Sequence, residues 1–514
     1  MKNEVFKQRK LNRAYIKMNI LKKIATVIIV IVSFNGLSAQ NKSEKPNILF
    51  IMSDQWRRQA LGFLNEDPIS TPNLDKFVKE AVFFQNSITN SPICTPSRAT
   101  IFTGQYPHTH GVIANSVRLS TKSVTLGDIV KKEGYETAYI GKLHLDGKDE
   151  GFVPIERRHG FDYWITSKNH APFEQAYFIQ NSNKAQVVKN SWEPEWITDK
   201  AVQYLDSTKG KPFCMVLSYG PPHTGGGKCF EDRKEPGRRV NGEVKYGYGY
   251  AAPKKWEDLY PNPQNLERRK NVKPVDKVKD ESWDVLPGYF GAISSIDDNF
   301  GRIVAYLKQN NLYDNTIIVF TADHGEMLGS QGRMTKGIWF EEAVGIPCLI
   351  SYKNKVKPAV ISNPFSTVDM TPTILGLAGI KVPEYMDGVN YAPALKGKKQ
   401  ELPDKAFCTF DQGTPTENDR AWRAVYTERY TYVLAKQMYK PFDIKEEGFV
   451  LFDKEKDPYQ LNPIYKGMGY DEVISDLHNA LLNHLSKTKD PFIELQWKTD
   501  NEPKYKYYDA EFRN

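Results

Sequence analysis

Short runs of β-branched and apolar residues alternate with amphipathic segments along most of the chain, and this alternation limits the fold more than any other feature. The runs NILFIM (47–52), PFCMVLSYG (212–220) and TIIVFTA (316–322) have the length and composition of buried strands. Between such runs, segments such as TPNLDKFVKEAVFF (71–84) place apolar residues at helical spacing. Strands and helices in this order form a mostly parallel sheet. We therefore predict an α/β fold whose sheet is sandwiched by helices.

The alternation breaks at two places, which divide the chain. Residues from about 224 to 282 are rich in glycine, lysine, arginine, tyrosine and proline, which predicts an insertion. From about residue 402, strand-like and turn-like stretches precede a final helical segment at 471–487. We therefore predict a main domain over residues 40–400 and a smaller C-terminal α+β subdomain over 401–514 that contains an antiparallel sheet.

The first 39 residues have the composition of an export signal. The basic stretch MNILKK is followed by the apolar stretch IATVIIVIV, which is too short to span a bilayer, and by small residues that end at Ala39. Because the residues before Met18 add nothing to this pattern, we place the start of translation at Met18. We expect an exported protein, periplasmic or secreted, with no membrane span after the signal is removed.

The positive charge of the chain is concentrated in the same segment. The whole sequence has a formal net charge of +8, and its first 39 residues hold eight lysines and arginines against one glutamate. The remainder is therefore close to neutral, which argues against a general binder of nucleic acids or other polyanions.

The cysteines are too few and too widely spread to form a disulfide framework. They are Cys94, Cys214, Cys229, Cys348 and Cys408. Cys94 precedes Thr95 and Pro96, which we expect to be the N-cap and the first residue of a helix. A cysteine at the positive end of a helix is either a reactive thiol or a small buried residue. Whether Cys229 pairs with Cys408 is left open by the sequence.

Polar residues follow four predicted strands, at the edge where open parallel sheets bind their ligands. They are Asp54 and Gln55, then Lys142 and His144, then His223, and finally Asp323 and His324 with Lys336 further on. Each residue alone has a structural explanation, as a helix cap, a loop residue or a solvated lysine. Together, the carboxylates favour a divalent cation, and the lysines and histidines favour a tetrahedral oxyanion and its departing oxygen.

These residues lie in motifs of a known family. The stretch CTPSRATIFTGQYPHTHGV (94–112) resembles the signature of the type I sulfatases, Cys-x-Pro-Ser-Arg followed by a Thr-Gly element. The stretches NILFIMSDQ, YIGKLHLDG, GPPHT, FTADHGE and VDMTPTILGLAGI occur in the order of that family, and the resemblance runs from Pro46 to LFDKEKDP (451–458). It implies an alkaline-phosphatase-like α/β fold and a sulfuric ester hydrolase.

The resemblance also implies a mechanism. In it, Cys94 is oxidised after translation to formylglycine by a separate formylglycine-generating enzyme, and one hydroxyl of the hydrated aldehyde attacks the sulfur. The ester alcohol leaves, and the second hydroxyl then expels sulfate by carbon–oxygen cleavage. By the same resemblance, Arg98, Lys142 and His144 hold the diol and stabilise its charge. His223 and Lys336 contact the sulfate, and His223 is the acid for the leaving oxygen.

The same resemblance implies a metal site. Its ligands are Asp54, Asp323, His324 and the side chain derived from Cys94, with Gln55 as a further candidate. The family more often has Asp-Asp in place of Asp54-Gln55 and Asp-Asn in place of Asp323-His324. A neutral glutamine removes one negative charge, and imidazole is an unusual calcium ligand. We expect one divalent cation, Ca²⁺ first and Mn²⁺ as the alternative. Gly345 also stands where the family frequently has an arginine.

The expected partner is a sulfated carbohydrate, because exported sulfatases of this kind mostly act on sulfated polysaccharides. Algal glycans such as ulvan or carrageenan come first, and glycosaminoglycans come second. In the predicted insertion, Arg238, Arg239, Tyr246 and Trp256 are candidate residues of a basic and aromatic rim for such a sugar, with a solvated loop as the equal alternative.

Two other functions fit part of the pattern. A phosphodiesterase or phosphonate monoester hydrolase of the same superfamily is compatible with the Asp-Gln and Asp-His pairs, whereas a two-metal phosphatase needs more histidine ligands. An inactive carbohydrate-binding relative is the other alternative. The presence of all the expected charged residues argues against it.

Overall fold

The protein is built on a ten-stranded mixed sheet, and the C-terminal part of the sequence forms a second sheet of four antiparallel strands. This computed structural model describes Met18, residues 45–115, 117–147, 151–167, 175–189, 191–208, 210–223, 250–272, 285–411, 421–435 and 448–492, and the backbone of 239–240 and 243–244. Residues Pro46–Asn514 group as one compact unit and Met1–Lys45 as another. The predicted export signal, apart from Met18, and most of the predicted insertion lie outside the described residues.

The described elements are eighteen strands and eleven α-helices. The strands are β1 Asn47–Asp54, β2 Val82–Phe84, β3 Ser87–Ile88, β4 Glu136–Gly141, β5 Tyr163–Ser167, β6 Gln175–Ile179, β7 Gln186–Val188, β8 Phe213–Pro222, β9 Arg239–Val240, β10 Glu243–Val244, β11 Thr316–Ala322, β12 Cys348–Tyr352, β13 Ala359–Ile361, β14 Phe365–Ser366, β15 Ala406–Phe410, β16 Trp422–Tyr426, β17 Tyr430–Ala435 and β18 Phe449–Asp453. The helices are α1 Pro72–Phe77, α2 Cys94–Thr103, α3 Pro107–His110, α4 Leu126–Lys132, α5 Glu193–Ser207, α6 Lys254–Glu257, α7 Leu286–Gln309, α8 Glu341–Val344, α9 Thr367–Ala378, α10 Ala392–Leu395 and α11 Asp471–Lys487. Every helix that the structure describes is too short or too polar to traverse a lipid bilayer.

The central strands of the large sheet are parallel, as predicted. The order across the sheet is β13-β2-β12-β11-β1-β8-β4-β5-β6-β7. Neighbours from β11 to β5 run parallel, whereas β12 and β6 are antiparallel to the strands beside them. The carboxyl ends of β1, β4, β8 and β11 therefore meet at one edge of the sheet.

Helices cover both faces of this sheet. Phe50 of β1 contacts Phe102 of α2, and Phe320 of β11 contacts Phe300 of α7, with ring centroids 6.1 and 5.4 Å apart. Since Phe320 pairs in register with Ile51, it points to the face opposite Phe50. All eight residues of β1 are buried, as expected for a strand covered on both sides. The predicted sandwich is confirmed.

The small antiparallel sheet β15-β16-β17-β18 is also covered on two sides. Leu477 and Leu481 of α11 pack in one apolar cluster with Tyr432 of β17. A second cluster joins Trp339 and Trp422, whose rings meet edge to face with centroids 6.0 Å apart. The C-terminal sheet thereby holds the segment that directly follows Lys336.

The helix that contains Cys94 begins two residues earlier than predicted. Thr95 is not its N-cap, because the helix starts at Cys94 and Ile93 occupies the cap position. The backbone N–H of Thr95 instead donates to Oδ1 of Asn115 at 3.0 Å, and its hydroxyl donates to the Asn115 carbonyl at 3.3 Å. Cys94 therefore lies in the first turn of α2, still at the positive end of the helix.

Candidate active site

Asp54 and Asp323 lie side by side because β1 and β11 are parallel and paired to their ends. Two backbone N–H groups fix the second carboxylate. Gln55 and His324 donate to Oδ1 of Asp323 at 3.1 and 2.9 Å. Gln55 adopts a left-handed backbone conformation, with φ of 68°, at the point where the chain leaves β1. The strand ends thus place two acidic side chains in one fixed arrangement.

The thiol of Cys94 joins these carboxylates in a buried cluster. Its Sγ lies 3.1 Å from Nε2 of His324 and 3.7 Å from Oδ1 of Asp54. One donor atom from each of Asp54, Cys94, Asp323 and His324 lies within 4.8 Å of the others, and none of the four side chains is exposed. The four residues that the sequence predicted as the core of a metal site are therefore brought together.

Positive charge surrounds the thiol. The ammonium of Lys142 lies 3.8 Å from Sγ of Cys94, and the imidazole of His144 lies close enough to the same sulfur to lower its pKa. Burial works against an ionised thiol, but Lys142, Lys336 and His324 together hold the pKa of Cys94 well below its usual value. Lowered thiol pKa values are typical of functional cysteines rather than of structural ones.

The remaining described cysteines lie in a different environment. Cys214, Cys348 and Cys408 are buried free thiols, and Cys229 lies outside the described residues. Burial raises the pKa of Cys214 to about 12, and it also raises the pKa of Cys408. These thiols are core residues, and only Cys94 among the described cysteines is placed for chemistry.

Arg98 holds the two carboxylates together from the next turn of α2. Its Nη2 donates to Asp54 at 3.0 Å and its Nε donates to Asp323 at 2.9 Å. Its Nη1 donates to the Lys142 carbonyl at 2.7 Å and to the Ser218 hydroxyl at 3.0 Å. All three nitrogens of this buried guanidinium therefore donate to residues of, or directly after, β1, β11, β4 and β8. Arg98 fixes the geometry of the cluster.

The two carboxylates differ in pKa. Burial and Cys94 oppose ionisation of Asp54, yet the nearby cations, Lys142 first, hold its pKa well below the usual value. Burial and the charge of Asp54 raise the pKa of Asp323. Two adjacent buried carboxylates with an imidazole and a sulfur suit a divalent cation, which would offset the repulsion between the two carboxylate charges. The donor set therefore fits the cation that the resemblance implies.

His223 and Lys336 complete the set of predicted residues. Nε2 of His223 lies 4.0 Å from Oδ1 of Asp54, and the imidazole is close to Cys94. Burial, followed by the charge of Lys336, lowers the pKa of His223. The ammonium of Lys336 donates to Oε1 of Gln55. All ten predicted site residues thus lie in one connected group.

Gln55 differs from the other predicted ligands in its contacts. Its Nε2 donates to Oε2 of Glu326 at 2.5 Å and to the hydroxyl of Tyr250 at 2.7 Å, while its Oε1 accepts from Lys336. Both ends of the amide are therefore engaged by side chains outside the four-residue cluster. The role of Gln55 as a metal ligand stays a prediction.

Two buried side chains at the site were not found from the sequence. Glu326 accepts the backbone N–H groups of Leu328 and Thr335 at 2.9 and 2.6 Å, and it thereby fixes the loop that leads to Lys336. Its place in FTADHGE was the available signal. Glu193 accepts the backbone N–H of Gly220 at 3.1 Å, and no motif points to it.

The fold and the site together define the class of protein. A parallel sheet with a thiol, carboxylates and cations at its carboxyl edge is the arrangement of an alkaline-phosphatase-like hydrolase. The chain belongs to the sulfatase family and is an enzyme that hydrolyses sulfate esters. The family model "Sulfatase" matches residues 46–380, and the model "N-sulphoglucosamine sulphohydrolase, C-terminal" matches residues 329–487. The resemblance and the enzyme class predicted from the sequence are confirmed.

Individual relatives match over nearly their whole length. An ulvan-active sulfatase of Formosa agariphila is 32% identical over 95% of this chain and 92% of its own. An endo-4-O-sulfatase of Bacteroides thetaiotaomicron is 29% identical over 90% of this chain and 96% of its own. A crystal structure of the candidate sulfatase YidJ from Bacteroides fragilis superposes with a TM-score of 0.74 at 29% identity, over 89% of this chain and 98% of its own.

Proposed function

We propose that this sulfatase is exported and removes sulfate from a sulfated polysaccharide or oligosaccharide, with ulvan as the first candidate. The support is the relative from Formosa agariphila named as an ulvan-active sulfatase, which this chain matches almost from end to end. Relatives from Bacteroides thetaiotaomicron named as an endo-4-O-sulfatase and an N-acetylglucosamine-6-O-sulfatase support a sulfated carbohydrate more generally.

Cys94 is the proposed source of the nucleophile, through conversion to formylglycine by a formylglycine-generating enzyme. In hydrated form, formylglycine supplies a hydroxyl group that attacks sulfur. The observation that carries this proposal is the position of Cys94 in the first turn of α2, within reach of Lys142, His144 and His324. A merely structural cysteine has no need of three cationic or imidazole neighbours.

The charged residues around Cys94 bind and orient the sulfate. Asp54, Asp323 and His324 would hold a divalent cation, Ca²⁺ as the first candidate, whose charge helps to neutralise the sulfate oxygens. Lys142 and Lys336 add fixed positive charge beside the reacting sulfur, where negative charge develops on the oxygens. Because these groups are held before substrate arrives, they need no reorganisation during the reaction.

His223 is the proposed acid for the leaving oxygen. A sugar alkoxide is a poor leaving group, so its oxygen needs a proton as the sulfur–oxygen bond breaks. Burial, followed by the charge of Lys336, lowers the pKa of His223, so its imidazolium form, once protonated, is a stronger acid than a free imidazolium. Nε2 of His223 lies 4.0 Å from Oδ1 of Asp54, so this proton would be held at the edge of the cluster that contains Cys94.

The test of the proposed function is release of inorganic sulfate by protein that is co-produced with a formylglycine-generating enzyme. Ion chromatography follows sulfate from ulvan, carrageenan and glycosaminoglycan oligosaccharides, with Cys94→Ala as the control. We expect release from ulvan oligosaccharides at the highest kcat/KM. Faster turnover of phosphonate or phosphate esters would support the phosphonate hydrolase alternative, and sugar binding without turnover would support the binding-protein alternative.

Export and the sugar-binding rim need separate tests. Fractionation of the native host, with sequencing of the mature N-terminus, tests export, and we expect the mature chain to begin at Gln40. Of the rim candidates, only Trp256 has a described side chain, and it packs on the small apolar cluster of Trp192 and Ala252. Replacement of Arg238 and Arg239 by alanine tests the two arginines of the rim, and it should raise KM for a sulfated oligosaccharide.

A further inference from the structure

The turn that carries His223 is displaced from the regular pairing of the sheet. Strand β8 pairs with β1 so that Ser53 faces Tyr219, but Asp54 faces Pro222, and this pairing skips Gly220 and Pro221. A register shift of this kind bends a strand and re-aims the side chain that follows it. His223 comes directly after the shift, and its N–H donates to the Gly220 carbonyl at 3.2 Å.

A buried carboxylate holds this turn from behind. Glu193, the first residue of α5, is 2% exposed, and its Oε1 accepts the N–H of Gly220 at 3.1 Å. A Cβ atom on Gly220 would lie 2.7 Å from Oε2 of Glu193, so a larger residue at this position would force the Glu193 carboxylate to shift. The indole of Trp192 donates to the Ser295 hydroxyl at 2.6 Å and fixes the start of α5.

We propose that Glu193 is a positioning residue for His223, through the hydrogen bond to Gly220 and the turn that follows it. The chain of contacts runs from Glu193 to Gly220, from Gly220 to the His223 backbone, and from the His223 imidazole to Asp54, with 4.0 Å between Nε2 and Oδ1. Burial raises the pKa of Glu193 to about 7, which agrees with a carboxyl group held away from water. This inference rests on the proposed role of His223 as the acid for the leaving oxygen.

The experiment compares two sulfate esters that differ in their need for an acid. A sulfated sugar needs a proton on its leaving oxygen, whereas 4-nitrophenolate leaves without one. We expect Glu193→Ala to lower kcat for the sulfated sugar about tenfold more than kcat for 4-nitrophenyl sulfate. Glu193→Gln keeps an acceptor oxygen for Gly220 and should stay within about threefold of the wild type on both esters.

A double-variant comparison separates positioning from a structural role. Glu193→Ala combined with His223→Ala should be no slower on the sugar than His223→Ala alone, because the two residues act in one step. The matched control is Glu195→Ala, in the same helical turn, whose carboxylate is 37% exposed and paired with Lys255. Its ratio of the two kcat values should equal that of the wild type. If Glu193→Ala does not fold, Gly220→Ala tests the same contact.

Crystal structures of Glu193→Ala and Glu193→Gln supply a readout that does not depend on turnover. We expect the His223 imidazole to shift in the first variant and to keep its place in the second. Two results would overturn the positioning role. The first is an equal loss of kcat on both esters in Glu193→Ala. The second is a double variant that is slower than His223→Ala by the same factor by which Glu193→Ala is slower than the wild type. A wild-type enzyme that releases sulfate from neither ester would overturn the proposed function, and this inference with it.

Discussion

The sulfur of Cys94 lies 3.1 Å from Nε2 of His324, and both side chains are fully enclosed by protein. The carboxylate of Asp54 lies 3.7 Å from the same sulfur. The unmodified chain therefore presents a thiol, an imidazole and two carboxylates to one point. Oxidation of Cys94 to formylglycine would exchange the one soft ligand of this set for oxygen.

This exchange predicts a change in metal preference. Thiolate and imidazole favour Zn²⁺ over Ca²⁺, whereas oxygen ligands favour Ca²⁺ or Mn²⁺. Protein made without a maturation enzyme should therefore bind Zn²⁺ more tightly than Ca²⁺ by about tenfold or more. Competition with a chelator measures both affinities, and Cys94→Ala should lose most of the Zn²⁺ preference. If the thiol form and Cys94→Ala prefer Zn²⁺ over Ca²⁺ to the same degree, this result would contradict a metal site in which Cys94 is a ligand.

Lys142 should be required for turnover. Its ammonium contacts Asp54 and lies 3.8 Å from the Cys94 sulfur, in a fully buried position. Lys142→Ala removes preorganised charge beside the reacting group, so kcat should fall by about 10²–10³-fold. The control is Lys131→Ala, which removes only a surface ion pair with Asp162 and should leave kcat unchanged. The residue-94 peptide is checked by mass spectrometry in both variants, so that a loss of maturation is not mistaken for a loss of catalysis.

An ion-pair cluster beside the site predicts how stability depends on pH. Glu341 is buried, and it contacts Arg58 at 2.9 Å and Lys454 at 3.2 Å. Burial opposes ionisation, but Lys454 and Arg58 lower the pKa of Glu341 to about 2 from the usual 4.5. A lowered carboxyl pKa stabilises the fold above the unfolded-state pKa, and this contribution is lost as the pH falls toward the folded-state value.

The corresponding variant is Glu341→Gln. At neutral pH it should lower the free energy of unfolding by about 3 kcal/mol, and the difference from the wild type should shrink as the pH falls from about 4.5 toward 2. Urea denaturation across this range measures the difference. Glu455→Gln removes an exposed pair with Arg429 and should leave the free energy of unfolding nearly unchanged. A difference for Glu341→Gln that is constant with pH would refute this account of Glu341.

The centre of the site could be predicted from the sequence because parallel strands order their carboxyl ends. Asp54 ends β1, while Lys142, His223 and Asp323 directly follow β4, β8 and β11, and the sheet brings the four residues together. The antiparallel direction of β12 and β6, at the sides of this group, was not predicted. Their short apolar runs carry no signal of direction, since direction is set by neighbours distant in sequence.

Other features depended on contacts that no local pattern records. Thr95 has the residue type of a helix cap, but Asn115 engages both its N–H and its hydroxyl. Gly345 stands where the family frequently has an arginine. A Cβ at this position would lie 2.6 Å from the backbone carbonyl oxygen of Glu341, so a side chain here requires the backbone to shift. Such contacts appear only in three dimensions.

The most direct test of the account is peptide mass spectrometry of residue 94 in protein purified from its native host, with sulfate release measured on the same sample. The account predicts formylglycine or its hydrate at residue 94, and sulfate release in proportion to the converted fraction. An intact Cys94 thiol in protein that still releases sulfate at full rate would contradict the proposed nucleophile.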